Sequence, residues 1–392
     1  MKRRDDDNSG KDTEKPGLYS GRKSSMEDTK EREREDPRDE GKDEGKEEWD
    51  GKVPPVPYTP WPFPLPDYRI HGKGDDDHPV YTPYLFLNHE DPNVPGSPFW
   101  LSPDIWVTSS LGINQPEEGK PNQIFARVHN AGLMDALNVN VRFYWADPSA
   151  AITDANVTPI GGDPAAATAT GVYIPSPAGP GQDSAVMVQC PVDWFPEKIA
   201  HQCLLVKAWA PGIDPNTPPY EPVLDPINDR HSAQRNTNVV LLPPGAEMQM
   251  VVKILNISRF AQEARIVVRA LPGELALAQA RAMQIKGAAE FRPGRLPLPV
   301  KAELSEEAMF LRHEAETFAR LMQAKEAQDP AKEPGEPVIV IDTALKAFEQ
   351  RDLHFQAVIP GNDAAGSVYA FDIAQYLGGL RTGGYTAMLI VG

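Results

Sequence analysis

The sequence predicts a mainly β protein: two immunoglobulin-like antiparallel β-sandwiches, the second interrupted by a helical insert. Three observations carry this reading. Short apolar runs alternate with a period of two, the mark of strands with one buried and one wetter face. Turn residues (Gly, Pro, Asn, Asp) separate these runs at short intervals. Proline makes up 41 of 392 residues, about twice the usual share of roughly 5%, and it lies mostly in the connecting segments.

The chain opens on a charged tail, 1–52. It holds 14 basic and 18 acidic residues, and its one aromatic before Trp49 is Tyr19. Such a segment cannot bury enough apolar surface to offset its ordering entropy, so it is expected to be disordered, as a solubilising tail more than a docking one. Residues 53–100 form a strap and loop. In "VPPVPYTPWPFPLPD" (53–67), prolines interleave with Val53, Val56, Tyr58, Trp61, Phe63 and Leu65. Proline fixes φ and removes a donor, so the segment reads as extended, polyproline-like chain. Trp61, Phe63 and nearby Tyr68 are candidate binding residues, although a strap laid over its own domain is the plainer reading. In "HGKGDDDHP" (71–79), Asp75, Asp76, Asp77 and His78 could hold a hard cation, but the spacing lacks the alternation and closing Glu of an EF-hand. A solvated acidic loop is expected.

The first sandwich is expected over 101–236. "DIWV" (104–107) opens it. In "NQIFARVH" (122–129), Ile124, Ala126 and Val128 share one face, with Phe125, Arg127 and His129 on the other. In "NVNVRFYW" (138–145), Val139, Val141, Phe143 and Trp145 face the core, and Asn138, Asn140, Arg142 and Tyr144 point away. Asn130 and Gly132 supply the turn between them. "VTPI" (157–160), "GVYI" (171–174), "SAVMVQC" (184–190) and "HQCLLVKAWA" (201–210) complete the set. Cys190 and Cys203 sit at strand edges; half-buried thiols are favoured over a disulfide.

The second sandwich is expected over 237–392. "MQMVVKILNIS" (248–258) followed by "ARIVVRAL" (264–271) echoes the first unit, with Asn256 standing where Asn130 stands and Ser258 where Gly132 stands. An insert at about 272–337 is expected to be helical. "GELALAQARAMQIKGAAEF" (273–291) is its first helix. In "LSEEAMFLRHEAETFARLMQAKEAQ" (304–328), Ser305 is a cap, Glu306 and Glu307 suit a helix start, and Leu311, Ala315, Phe318 and Met322 form a stripe. The insert is expected to serve as a partner surface or a cap on a sheet edge. Strands resume at "VIVI" (338–341), "LHFQAVIP" (353–360), "SVYAFDIAQY" (367–376) and "GYTAMLIV" (384–391), the last two joined by "LGGLRTGG".

The run "IFARVHNAGLMDALNVNVRFYW" (124–145), strand, Asn-x-Gly turn and second alternating strand, resembles the CARDB family of bacterial adhesion-related immunoglobulin-like domains. The likeness covers about 101–236 and, more weakly, the second unit. It implies a surface or secreted setting and a binding role. The chain departs from that setting in its helical insert and in an N-terminus with no apolar stretch of signal-peptide type. Its expected location is the cytoplasm, or outside the cell by a signal-independent route.

Recognised catalytic patterns do not fit. In "HEAET" (313–317), Thr317 stands where a zinc protease needs its second His. "DRHSAQRN" (229–236) concentrates Asp229, Arg230, His231 and Arg235 and reads as an inter-domain hinge. The alternative is an enzyme-associated module or hydrolase working around His231. The net charge is −17, and 53–392 alone holds 25 basic and 38 acidic residues, which gives no attraction to nucleic acid or anionic lipid. No run of about 18 apolar residues is present, so no membrane insertion is expected. The expectation is therefore a non-enzymatic protein with no cofactor and no metal. It would act as an adhesion or assembly module, with a protein, a polysaccharide or further copies of itself as partner. An accessory of a larger extracellular or injected particle is one setting that fits. Candidate surfaces are the 130–137 loop, the strap at 58–68 and the terminal strand 384–391.

Overall fold

The computed structural model describes residues 83–94, 96–179, 182–197, 202–211, 223–237, 239–311 and 334–392. The charged tail, the strap with Trp61, Phe63 and Tyr68, and the acidic loop around His78 lie outside the described residues. So does 312–333, which holds most of the second expected helix.

The first sandwich is built from β1 (Leu85–Phe86), β2 (Ile105–Ser109), β3 (Gly112–Ile113), β4 (Gln123–Asn130), β5 (Ala136–Ala146), β6 (Thr158–Pro159), β7 (Thr168–Ile174), β8 (Ser184–Gln189), β9 (Cys203–Trp209) and β10 (Ser232–Asn236). In one sheet, β4 is flanked by β8 on one side and by β1 and β2 on the other, with β3 outside β2. The other sheet runs β10-β9-β5-β7, with β6 also on β5. The expected inward residues Ile124, Ala126, Val128, Val139, Val141 and Phe143 all lie in the core between the sheets. The sandwich begins earlier than residue 101: β1 pairs with the end of β4, and Trp100 is fully buried.

The second sandwich comprises β11 (Val239–Leu242), β12 (Glu247–Leu255), β13 (Gln262–Ala270), helix α1 (Gly273–Ala282), β14 (Arg292–Pro293), β15 (Val300–Phe310), β16 (Glu336–Leu345), β17 (Glu349–Val358), β18 (Ser367–Leu377) and β19 (Leu380–Val391). Its large sheet runs β11-β19-β18-β13-β16, with β14 beside β18, and its small sheet runs β12-β17-β15. The pairing is antiparallel except for two short contacts, β11 with β19 and β14 with β18. The hairpin between β18 and β19 is closed by Gly378 and Gly379, both at positive φ, as the tightest hairpin turn requires.

The two sandwiches repeat one design. The order β10-β9-β5-β7 in the first matches β19-β18-β13-β16 in the second, and the facing pair β4–β8 matches β12–β17. The echo at Asn130 and Asn256 has a physical basis in that repeat. Asn130 Oδ1 accepts from Gly132 N at 3.0 Å, and its Nδ2 donates to Met134 O at 2.9 Å and Pro175 O at 3.2 Å. Asn256 Oδ1 accepts from Ser258 N at 2.9 Å, and its Nδ2 donates to Phe260 O and Lys346 O, both at 2.8 Å. Each asparagine thus closes its own turn and fastens it to the end of the strand across the sheet.

The insert is corrected in part. α1 forms but ends at Ala282, short of the 291 expected, with Glu274 in its first turn and Arg281 in its last, the signs that suit the helix dipole. Ala276, Leu277 and Ala280 seal the outer face of the large sheet over Val368, Ala370, Met388 and Ile390. The segment expected to start a second helix at Ser305 is instead the end of β15, which caps the open edge of β17. Ser305 caps no helix; its Oγ accepts from Glu307 N inside a break in register between Leu304 and Ala308. An exposed strand edge outweighed the helix propensity of "SEEA". A sequence signal for this existed: Val300, Ala302 and Leu304 alternate with Lys301 and Glu303.

The sandwiches are welded rather than hinged. A single apolar cluster joins Tyr144, Ala150, Ala151, Cys203 and Leu205 of the first to Met250, Ile254, Phe371 and Tyr385 of the second. Backbone bonds cross the seam from Ala150 N to Lys253 O and from Lys253 N to Pro148 O, both 2.8 Å. Trp100 Nε1 donates to Thr386 Oγ1 at 2.7 Å, its ring lying against Gly384 and under the Arg381 guanidinium. The face of β5 expected to meet water therefore meets the second sandwich at Tyr144.

Candidate functional site

The segment 229–236 was the main candidate in the sequence, and the structure moves it indoors. Ser232–Asn236 is β10, paired along its length with β9 and buried throughout. The polar residues of "SAQRN" misled because the strand lies at the seam, where both faces are covered and each polar side chain needs an internal partner.

Those partners can be followed residue by residue. His231 is 2% exposed, and Asp229 Oδ1 accepts from both its backbone N (3.0 Å) and its Nδ1 (2.7 Å). Burial pushes the Asp229 carboxyl up, but the bonds and charge of His231, with Arg230, outweigh it and hold the carboxyl below its usual range. Arg230 reaches back to the first strand: Nε donates to Leu85 O at 2.9 Å and the guanidinium lies 3.9 Å over the Tyr84 ring. Arg235 Nη1 donates to Ser102 O at 2.7 Å. Burial lowers the Arg235 guanidinium to about 10, against the opposing charges of Asp91 and Asp104, so it stays protonated at neutral pH. These four residues, offered by the sequence as binding or hinge residues, fasten β1, the loop at 102 and β10 together.

A second polar cluster escaped the sequence reading. His129, stacked on Phe86 with ring centres 4.8 Å apart, sits between the Asp104 carboxylate (3.0 Å from Nε2) and that of Asp183, which bonds Nδ1. Asp104 also accepts from Asn88 N at 2.6 Å. Burial works to lower the imidazole, but the bonds and charges of Asp104 and then Asp183 win and raise it. The three residues are far apart in sequence, so no motif could reveal them. Cys190 and Cys203 are both free and buried, with burial pushing their thiols up to about 11 and about 12. Among the described residues, no group of three or more His, Cys, Asp or Glu is placed to hold a metal ion, and no helix is long and apolar enough to cross a membrane.

The exposed apolar surface lies elsewhere. The terminal strand 384–391 is not a free edge: β19 runs between β18 and β11 and is buried from Thr382 to Val391. Its run of apolar residues on both faces is the pattern of a central strand. The strands paired on one side only, among the described residues, include β15 and β16. β15 exposes Met309 and Phe310 (57%), and β16 exposes Val338 and Val340 (52%). Met134 and Leu137 are exposed in the 130–137 loop and the start of β5.

No known family profile matches the chain, and no curated protein matches it. The CARDB resemblance therefore rests on the residue pattern alone. Solved structures with some likeness include the collagen adhesin (CNA) from S. aureus, at 10% identity and a TM-score of 0.20, covering 74% of this chain and 91% of that one. Red sea bream transglutaminase is similar at 8% identity and a TM-score of 0.17, covering 74% of this chain and 31% of that one. The C-terminal domain of the Streptococcus pyogenes antigen I/II-family protein AspA is similar at 8% identity and a TM-score of 0.19, covering 74% and 98%. Scores this low carry no argument about function, and the β-sandwich description stands on the strand pairing above.

Proposed function

We propose that the protein is a non-enzymatic binding module of adhesion or assembly type, related in pattern to CARDB domains. Its partner is a protein or polysaccharide, or a further copy of the chain. The observation that carries this reading is the contrast between the two polar clusters and the edges. Asp229, Arg230 and His231 are spent on internal bonds, whereas, among the described residues, β15 and β16 are paired on one side only beside Phe310, Val338 and Val340. An edge strand of this kind can accept a strand from a partner, with main-chain hydrogen bonds giving affinity and alternate side chains giving selectivity.

The test is sedimentation velocity over a wide concentration range, on the parent chain and on Val340→Lys combined with Phe310→Lys. Concentration-dependent association that the double variant abolishes, with an unchanged circular-dichroism spectrum, supports edge-mediated assembly. A parent that stays monomeric throughout refutes self-assembly and leaves a foreign partner as the reading. A screen against glycans, peptides and esters tests the other half: a hydrolytic activity lost in a folded His231→Ala variant overturns the non-enzymatic assignment.

A further inference from the structure

A small recess opens at the seam between the sandwiches. Asp91, Ser97 and Arg235 line it from the first sandwich; Gln279, Ala282 and Met283, from α1 and the residue after it, line it from the second. Two of these side chains are almost wholly buried yet incompletely bonded. Arg235, 4% exposed, uses Nη1 on Ser102 O but has no partner for Nε. Gln279, 2% exposed, has no partner for either Oε1 or Nε2. Its companions on the buried face of α1 are Ala276, Leu277 and Ala280, so the amide is an anomaly there. A Leu or Met would pack the same position without desolvating two polar atoms.

We propose that this recess is a binding site for one small neutral hydrogen-bonding molecule, with water as its natural occupant, bridging Arg235 of β10 and Gln279 of α1. The unmet groups define the ligand. Two donors (Arg235 Nε–H and Gln279 Nε2–H) and one acceptor (Gln279 Oε1) are left unmet on side chains that line the recess. A water molecule accepts from both donors and gives a proton to Oε1, which is the ordinary bonding of a buried water. An anion would satisfy the donors but would meet Oε1 and the Asp91 carboxylate with like sign. A cation would meet the Arg235 guanidinium. The site thus selects against both charges, and it adds a polar bridge to a seam otherwise held by apolar contact.

The test begins with Gln279→Met in the full chain, a change that keeps the length of the side chain and the helix propensity. If a bridging molecule is bound, the variant loses its bonds and strands Arg235 Nε, and the melting temperature falls by several degrees. If the amide is truly unpaired, removing it relieves a penalty; a melting temperature that is unchanged or higher overturns the proposal. A crystal structure of the full chain gives the second readout. Oxygen-sized density within hydrogen-bond distance of both Arg235 Nε and the Gln279 amide is expected. An empty recess, a direct Arg235–Gln279 bond, or an anomalous bromide peak at the site after soaking would each overturn it.

Discussion

Replacing Asn256 with Ala puts the duplicated design to its hardest test. The asparagine is fully buried: its Oδ1 accepts from Ser258 N at 2.9 Å, and the two protons of its Nδ2 serve Phe260 O at 2.8 Å and, shared, Lys346 O at 2.8 Å and Leu345 O at 3.1 Å. At a net worth of roughly 1 kcal/mol for each of the three protons so bonded, the loss comes to about 3 kcal/mol, large for a single substitution. Asn130→Ala removes the matching set in the first sandwich, together with a bond from Tyr84 N at 2.9 Å, so its cost should be about the same. The assay is urea unfolding followed by circular dichroism and by tryptophan fluorescence. Because one apolar cluster spans both sandwiches, the two probes should trace a single transition, and each variant should move all of it. A loss under about 1 kcal/mol in either variant, or a shift confined to one of two separate transitions, would refute the argument that the brackets are equivalent and the sandwiches welded.

Four further outcomes follow from the geometry. His129 has its folded pKa raised by Asp104 and Asp183, so its contribution is fully present below the unfolded value of about 6.5 and is lost as pH rises through the raised one; the stability gap between the parent and His129→Gln, measured by urea unfolding, should shrink across that window, and a gap that widens with pH contradicts the cluster. Met388→Pro removes a donor from β19, where Met388 pairs with Ala370 and Val239, and should abolish cooperative thermal unfolding; a well-folded variant would show that β19 is an edge after all. Gly384→Ala would set a Cβ 2.1 Å from the Trp100 ring, which should cost about 1–3 kcal/mol by overpacking the seam, and a neutral result in urea means the seam is looser than described. Both cysteines should react slowly with a thiol reagent in the native protein and quickly in urea, since burial holds the thiols at about 11 and about 12; rapid native labelling of either argues against its place in the core.

The class of fold was written in local pattern. Alternation in 122–129 and 138–145 sorts residues by face because strand geometry has a period of two, and that rule needs no knowledge of neighbours. The Asn130–Asn256 echo was legible for the same reason: part of each asparagine's bonding lies within its own turn, two and four residues onward. The Gly378–Gly379 hairpin was likewise a matter of backbone freedom at two residues.

What the tertiary structure decided were the outcomes that depend on what lies opposite. Tyr144 is buried and "SAQRN" is a strand because a second sandwich closes over the first. "LSEEAMF" is extended because β17 offers it an unpaired edge, and a ladder of hydrogen bonds outweighs a few tenths of a kcal/mol per residue of helix propensity. His129, Asp104 and Asp183 meet only through the pairing of β2, β4 and β8, and Arg235 and Gln279 come to line one recess only across the seam. Propensity and periodicity act over a few residues, so they name a strand and its faces. Which face meets water, and which edge stays open, is set by contacts between residues that may stand a hundred or more positions apart in the chain.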